Sequence, residues 1–312
     1  MAWIAIDDYT FPGGWADPSA APARGRECCT QLEAGGILYF QKPPFDLPLE
    51  DREFLLSQKQ SSFKGHKNIS YRPQQNMLRG DSGETPADTR RLLEIMRRFS
   101  WQATDFLTNF LWPYTNQWKI DFASFRPLEE QGRDLSVHKR NDLMHVDAFP
   151  SRPTRGGRIL RVFANINPQE PRVWQVTEPF EAIAARFAVD AGLKNFARGA
   201  ASPARPLWRM LGPAMAKLGI KGAAGSPYDK FMLRFHDYLK ENQEYQQNYP
   251  KTRIEFPPGS SWLVYTDTVP HAVLSGRYAL EQKYIIPAQA MVAPDKAPIR
   301  ILEKMCGTPL GN

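Results

Sequence analysis

The chain predicts an α+β fold: a β-rich core behind a helical front, with a large helical insertion between strands. Three observations carry this. Apolar residues recur at helical spacing from about 85 to 112, the period changes to strand-like runs after about 117, and helical periodicity returns over about 175–246 before further strands. A length of 312 residues allows about two domains by size alone, although β-barrels of this length often form one unit. With no internal repeat visible, a single domain over 1–312 is expected, with helical support at about 46–113 and the insertion at about 175–246.

The elements follow in order. Residues 1–45 are rich in Pro and Gly, and Gly36-Ile37-Leu38-Tyr39-Phe40 reads as a strand. A helix is expected at about 48–58, then a polar loop through Asp81-Ser82-Gly83-Glu84. Thr85-Pro86-Ala87-Asp88 opens the long helix: a Thr cap, Pro in the first turn and an acid at the positive dipole end. Leu92, Ile95, Phe99, Ala103, Phe106 and Phe110 then form one apolar stripe, which suits packing on the core. Strands are expected at 118–125, 144–149 and 158–167, and after the insertion at 253–256, 261–265, 271–274 and 277–286.

Composition narrows the class. Hydrophobic residues make up 42% and aromatics 12%, enough for a packed core. The three cysteines, Cys28, Cys29 and Cys306, fit neither a disulfide framework nor a Cys/His metal spacing, so a reducing compartment is expected. The N-terminus carries acids where a signal peptide has basic residues, and no run approaches the roughly 18 apolar residues of a membrane span. A cytoplasmic protein is the expectation. The net charge of +7 predicts anionic partners. Zinc-finger spacing, aromatic RNA-binding signatures and glycine-rich phosphate loops are all missing, so nucleic acid is not among the partners expected.

Two fragments carry chemistry. In His145-Val146-Asp147 the residues two apart share one face of a strand, so imidazole and carboxylate point inward together and Val146 points to the other side. Alone the triplet is weak evidence, since a hydrogen-bonded His–Asp pair in a strand looks the same. His271 follows a strand and a turn ending in Pro270, and only five histidines exist in the chain. His66 and His138 sit in polar stretches, and His236 reads as a helix-surface residue. Two histidines and one carboxylate can occupy one face of Fe(II) and leave the opposite positions open.

Arg277 extends the set if the turn is right. With a three-residue loop at Leu274-Ser275-Gly276, His271 and Arg277 share the interior face, roughly 10 Å apart by strand rise. A guanidinium there could hold the far carboxylate of a dicarboxylate. A two-residue Ser275-Gly276 turn would face Arg277 outward and leave the task to Lys283 or Arg161.

With Tyr265-Thr266-Asp267 before His271, and Arg277-Tyr278-Ala279-Leu280 after it, the pattern resembles the 2-oxoglutarate/Fe(II) dioxygenases. A narrower resemblance covers most of the chain. His145-Val146-Asp147-Ala148-Phe149-Pro150-Ser151-Arg152-Pro153-Thr154, followed by Arg158-Ile159-Leu160-Arg161-Val162-Phe163-Ala164-Asn165-Ile166-Asn167-Pro168, resembles the Kdo hydroxylases. These bacterial enzymes hydroxylate 3-deoxy-D-manno-oct-2-ulosonic acid in the inner core of lipopolysaccharide. The resemblance implies a double-stranded β-helix (jelly-roll, cupin-like) core, Fe(II) held by His145, Asp147 and His271, and 2-oxoglutarate and O2 as cosubstrates. It also implies attack at C3 of the sugar on a lipid A carrier. Asn165, or Asn167, is a candidate hydrogen-bond donor to the cosubstrate, with a strand-end turn as the competing role.

A substrate bearing carboxylates and phosphates calls for cations at the mouth. Lys139, Arg140, Arg152, Arg155 and Arg158 flank the His145 strand and form the expected rim. The stretch 191–222 interleaves Lys194, Arg198, Arg205, Arg209, Lys217 and Lys221 with Trp208, Leu207 and other apolar residues. It reads either as an anchor on an anionic membrane surface or as helices with a wet basic face. Kdo-lipid A or a related acidic glycolipid is the expected partner, at the cytoplasmic face of the inner membrane. Two readings compete with this one: an oxygenase of the same kind with another sugar or lipid acceptor, and a non-catalytic β-barrel that binds acidic glycolipid.

Overall fold

The computed structural model describes residues 3–61, 68–201 and 225–311. The chain runs β1 (Trp3–Ala5), β2 (Tyr9–Thr10), β3 (Gly14–Trp15), α1 (Ala21–Glu33), β4 (Ile37–Phe40), α2 (Leu49–Ser57), β5 (Ile69–Arg72), β6 (Met77–Arg79), α3 (Pro86–Phe110) and β7 (Lys119–Arg126). It continues with β8 (Arg158–Asn165), β9 (Arg172–Val176), α4 (Phe180–Phe187), α5 (Leu193–Ala201), α6 (Pro227–Glu241) and α7 (Gln243–Gln247). The last elements are β10 (Thr252–Phe256), β11 (Ser261–Tyr265), β12 (His271–Ser275), β13 (Ala279–Ile286) and α8 (Pro298–Cys306).

Two sheets build the core. The larger has eight strands in the order β1-β4-β11-β8-β13-β7-β5-β6, and the smaller runs β10-β9-β12. One apolar layer joins them: Phe163 and Trp262 of the large sheet pack with Trp174, Phe256 and Val273 of the small one. Alternation then assigns the faces of β8. Val162 and Ala164 lie in the clusters that pack against α3, whereas Arg161 and Phe163 point into the space between the sheets. The α3 stripe does the packing expected of it, with Leu92, Ile95 and Phe99 on Ile69 and Phe125, and Phe106 and Phe110 on Leu38 and Val162. Thr85 caps α3 by accepting from the Asp88 N–H.

The insertion leaves after β9 and returns at β10, which pairs antiparallel with that same strand. Its helices cover the outer side of the small sheet, where Phe180, Ile183, Phe231 and Phe235 share a cluster with Met144, Val146 and Ala272.

Four sequence expectations need correction. Residues 144–149 form no strand and make a single ladder bridge, His145 with His271. The helical insertion begins later than 175, because Arg172–Val176 is a strand held between β10 and β12. Helix α1 occupies part of a region read as irregular apart from one strand, and β5 and β6 lie inside the span read as helical support. β12 and β13 do not form a hairpin. β12 pairs with β9 in the small sheet, while β13 pairs with β7 and β8 in the large one.

Candidate metal centre

The segment 141–147 runs antiparallel beside β12. His145 and His271 exchange both backbone hydrogen bonds, at 3.1 and 2.9 Å. The Val273 N–H donates to Asn141 O and the Asp147 N–H to Thr266 O, both at 2.8 Å. Direct pairing sets the two imidazoles side by side with ring centroids 4.7 Å apart, and Trp174 stacks on His271 at 4.9 Å. Asp147, two residues on from His145, shares its face. One ligand atom from each of His145, Asp147 and His271 lies within 4.8 Å of the others.

Protonation suits a cation. The Nδ1 of His145 lies 2.7 Å from Leu143 O and that of His271 lies 2.9 Å from Val269 O, so in both rings Nδ1–H donates to a carbonyl and Nε2 keeps its lone pair. Burial pushes both imidazoles toward the neutral form, His145 most strongly. Burial acts the other way on Asp147 and is the largest single influence, but the Arg161 guanidinium, together with His271 and the Thr266 hydroxyl, outweighs it and brings the carboxyl down to about 2. Arg161 Nη2 stands 2.6 Å from Asp147 Oδ2. Two neutral imidazoles and an ionised carboxylate, all aimed at one point, are the donor set a single divalent ion requires. The residues present therefore fit such an ion.

The three donors line a cavity of about 560 Å³ between the sheets. Its walls carry Arg126, Arg161, Arg172 and Lys283, none of which was among the expected substrate contacts. Glu281 joins three of them: Arg161 Nη1 and Lys283 Nζ donate to one carboxylate oxygen at 2.7 and 2.8 Å, and Arg126 Nε to the other at 2.9 Å. Arg126 also donates to Glu130 at 2.8 Å. Arg172, 3.9 Å from Glu130 and bonded to the Gly276 carbonyl, is the least compensated, and burial pulls its guanidinium down to about 10. These four cations contact only three carboxylates, Asp147, Glu130 and Glu281, which leaves positive charge for an anionic ligand.

Other expected site residues lie elsewhere. Arg277 is exposed, with its guanidinium 4.8 Å over the Tyr278 ring, because it lies in the connection 276–278 that carries the chain from β12 in one sheet to β13 in the other. Asn165 is fully buried away from the cavity, and its amide donates to the carbonyls of Glu170 and Phe256. Asn167 organises the turn that follows, accepting from the N–H groups of Gln169 and Glu170. Arg158 is fully buried against Asp267, Thr268 and the Tyr265 ring, so it braces the core and forms no part of a rim. Arg140 pairs with Asp142, and Arg152 with Asp121 over the Phe122 ring. Arg155 is exposed at positive φ and lines a separate surface cleft. Of the rim, Lys139 alone borders the cavity. His236 was read as surface, yet its ring lies 5.0 Å from that of His145 inside the cavity wall. The i, i+4 pair His236 and Lys240 on a helix with an apolar opposite face was the available signal.

A two-sheet β fold that gathers two neutral imidazoles and a carboxylate in a cation-lined cavity defines a class: proteins built to hold one divalent ion on a facial donor set with open positions beside it. The family is narrower. The chain belongs to the 3-deoxy-D-manno-oct-2-ulosonic acid (Kdo) hydroxylase family, whose model matches residues 16–309. It is similar to solved structures of the Kdo hydroxylase KdoO, a non-heme Fe(II) alphaketoglutarate dependent dioxygenase. The apo form and the complex with alphaketoglutarate and Fe(III) each match at 34% identity and a TM-score of 0.82, over 100% of this chain and 98% of that one. The cobalt(II) complex matches at the same identity and coverage with a TM-score of 0.83. A comparison with curated protein sequences finds no match.

Proposed function

We propose that this chain is an Fe(II)/2-oxoglutarate-dependent dioxygenase that hydroxylates Kdo at C3, in the lipid A-linked inner core of lipopolysaccharide. The observation that carries the reading is the convergence of His145, Asp147 and His271 beside an undercompensated cation cluster. Fe(II), with 2-oxoglutarate and O2, would supply the oxidising power for inserting a hydroxyl into a C–H bond. The protein's part is to hold, orient and exclude. The carbonyls of Leu143 and Val269 keep both imidazoles in the ligating tautomer, and Trp174 limits rotation of His271. Arg161 and Lys283, opposite each other across β8 and β13, take the role expected of Arg277 at the far carboxylate of the cosubstrate. Arg126 and Arg172 remain for the carboxylate of the sugar acid.

The same reading makes the core a double-stranded β-helix within one oxygenase domain over 1–312. In support, strands from distant parts of the chain interleave: β7-β13-β8-β11 in one sheet, and segment 141–147 with β12-β9-β10 in the other.

For localisation we propose peripheral contact with the inner membrane. Among the described residues no helix is long and apolar enough to cross a membrane. Within 191–222, the part up to 201 is described. There Leu193, Ala197 and Ala200 are buried and Phe196 packs on Phe231, leaving Lys194 and Arg198 exposed. Arg205, Arg209, Trp208, Lys217 and Lys221 lie outside the described residues.

The test is mass spectrometry of Kdo-lipid A incubated with Fe(II), 2-oxoglutarate and O2. A gain of one oxygen that disappears in His145→Ala, Asp147→Ala and His271→Ala is the expected result. Succinate formed while Kdo-lipid A stays unchanged would move the assignment to another acceptor.

A further inference from the structure

Segment 141–147 is hydrogen-bonded on both edges, yet only one edge faces a strand. In extended chain, successive residues direct their backbone groups to opposite edges. Asn141, His145 and Asp147 bond toward β12 and the turn before it. Met144 and Val146 face the other way, toward the helices of the insertion. There the side-chain amide of Gln246 closes a ring with Met144: Oε1 accepts from its N–H at 3.0 Å, and Nε2 donates to its carbonyl at 2.9 Å. His236 Nδ1 bonds the Val146 carbonyl at 2.8 Å. Lys240 Nζ donates to the carbonyls of His138 and Arg140 at 3.1 and 2.6 Å. Backbone groups of the segment that a further strand would satisfy are satisfied by two side chains, His236 of α6 and Gln246 of α7, and Lys240 extends the support to the residues just before it.

We propose that His236 and Gln246 are positioning residues for the metal centre, with the helices at 227–247 serving as the missing edge of the small sheet. The proposal rests on the reading of His145, Asp147 and His271 as metal ligands. Met144 and Val146 flank His145, so anything that slackens either contact lets its imidazole drift from the shared focus. β12 holds His145 itself through the reciprocal backbone bonds with His271, so the helix side chains act on the two flanking residues, which set how the His145 side chain leans from that bridge. The insertion also borders the cavity through Leu233, His236 and Asp237, so an acceptor that presses on α6 acts on the ligand segment directly.

The experiment titrates cobalt(II) into the full-length apoprotein by calorimetry and records the ion's visible absorption, with thermal unfolding measured alongside. Gln246→Met keeps the length of the side chain but removes both bonds to Met144. His236→Leu removes the donor to Val146, and His236→Asn restores an N–H near the same place. We expect the first two to weaken cobalt(II) binding about tenfold, the low end for residues standing behind metal ligands, and to alter the visible band. His236→Asn should return to within about threefold of the wild type on the same scale. Unchanged affinity and spectrum in folded Gln246→Met and His236→Leu overturn the proposal, as does equal weakening in His236→Asn and His236→Leu. Where His236→Leu does not fold, Gln246→Met against wild type decides. Failure of the wild type to bind cobalt(II) would instead reject the site reading itself.

Discussion

Glu281 shows how much one buried carboxylate can organise. Burial raises its pKa, but Arg126, Arg161 and Lys283 outweigh that and hold the carboxyl well below the ordinary range. A group whose folded value lies under its unfolded value, about 4.3 for Glu, contributes stability above that pH and loses it as pH falls through the folded value. Glu281→Gln leaves three cations short of a partner, and a loss of about 3 kcal/mol at pH 7 is expected by urea denaturation. The gap between variant and wild type should narrow below about pH 4, where the unfolded chain takes up the proton. A gap independent of pH would assign the loss to packing. The residue scale also marks where sequence reading works. His145 and Asp147 were legible because side chains two apart share a face whatever the segment pairs with. Arg277 was not, because its direction depended on whether β12 and β13 pair with each other, and they join different sheets.

At the scale of elements, Asp229 ties the insertion to the core. It completes a capping box with Ser226 at the start of α6, and its Oδ1 also accepts from the backbone N–H groups of Thr154 and Arg155, at 2.7 and 3.0 Å. Ser226→Ala removes one cap and should cost about 1 kcal/mol. Asp229→Ala also frees the loop that leads into β8, so it should cost roughly twice that, given the strength of bonds to a charged acceptor. Thermal melts of the two variants rank them, and equal losses would mean that the loop is held by other contacts. Element boundaries were the less legible part. Helix α3 announced itself by its stripe and its cap. Strand β9 goes unassigned in the sequence reading, with only Gln175 and Val176 touching the helical span, although Val173, Trp174 and Val176 after Pro171 are strand formers. Helix α1 hid in a Pro- and Gly-rich stretch, where Pro22 sits in its first turn and tertiary burial of Cys28, Cys29 and Leu32 supplies what propensity does not. The segment 144–149 was read as a regular strand because its pattern is one. Its pairing is what departs: between the Asn141–Val273 and His145–His271 bonds the chain advances four residues against two of β12, and Asp147 then bonds the turn at Thr266.

At the scale of the whole molecule, an excess of seven positive charges must be reconciled with a cavity that already spends four cations on three carboxylates. The cavity therefore accounts for only a small part of the surplus, and the rest is distributed over the chain. Arg205, Arg209, Lys217 and Lys221 fall in a stretch without an acid, interleaved with Trp208 and Leu207. Each cation near an anionic bilayer contributes about 1 kcal/mol, and the attraction fades beyond a Debye length of about 10 Å at 0.1 M salt. Wild-type protein should cosediment with vesicles containing an anionic phospholipid, should not do so with purely zwitterionic ones, and should release as salt rises toward about 1 M, where the Debye length shrinks to about 3 Å. Replacing the four cations with Gln should weaken vesicle binding on the order of a thousandfold. Hydroxylation of a soluble Kdo acceptor should stay unchanged in that variant, since none of the four belongs to the proposed metal or anion contacts. Binding to zwitterionic vesicles as strong as to anionic ones, or a variant that binds like the wild type, would remove the electrostatic account of the proposed membrane contact.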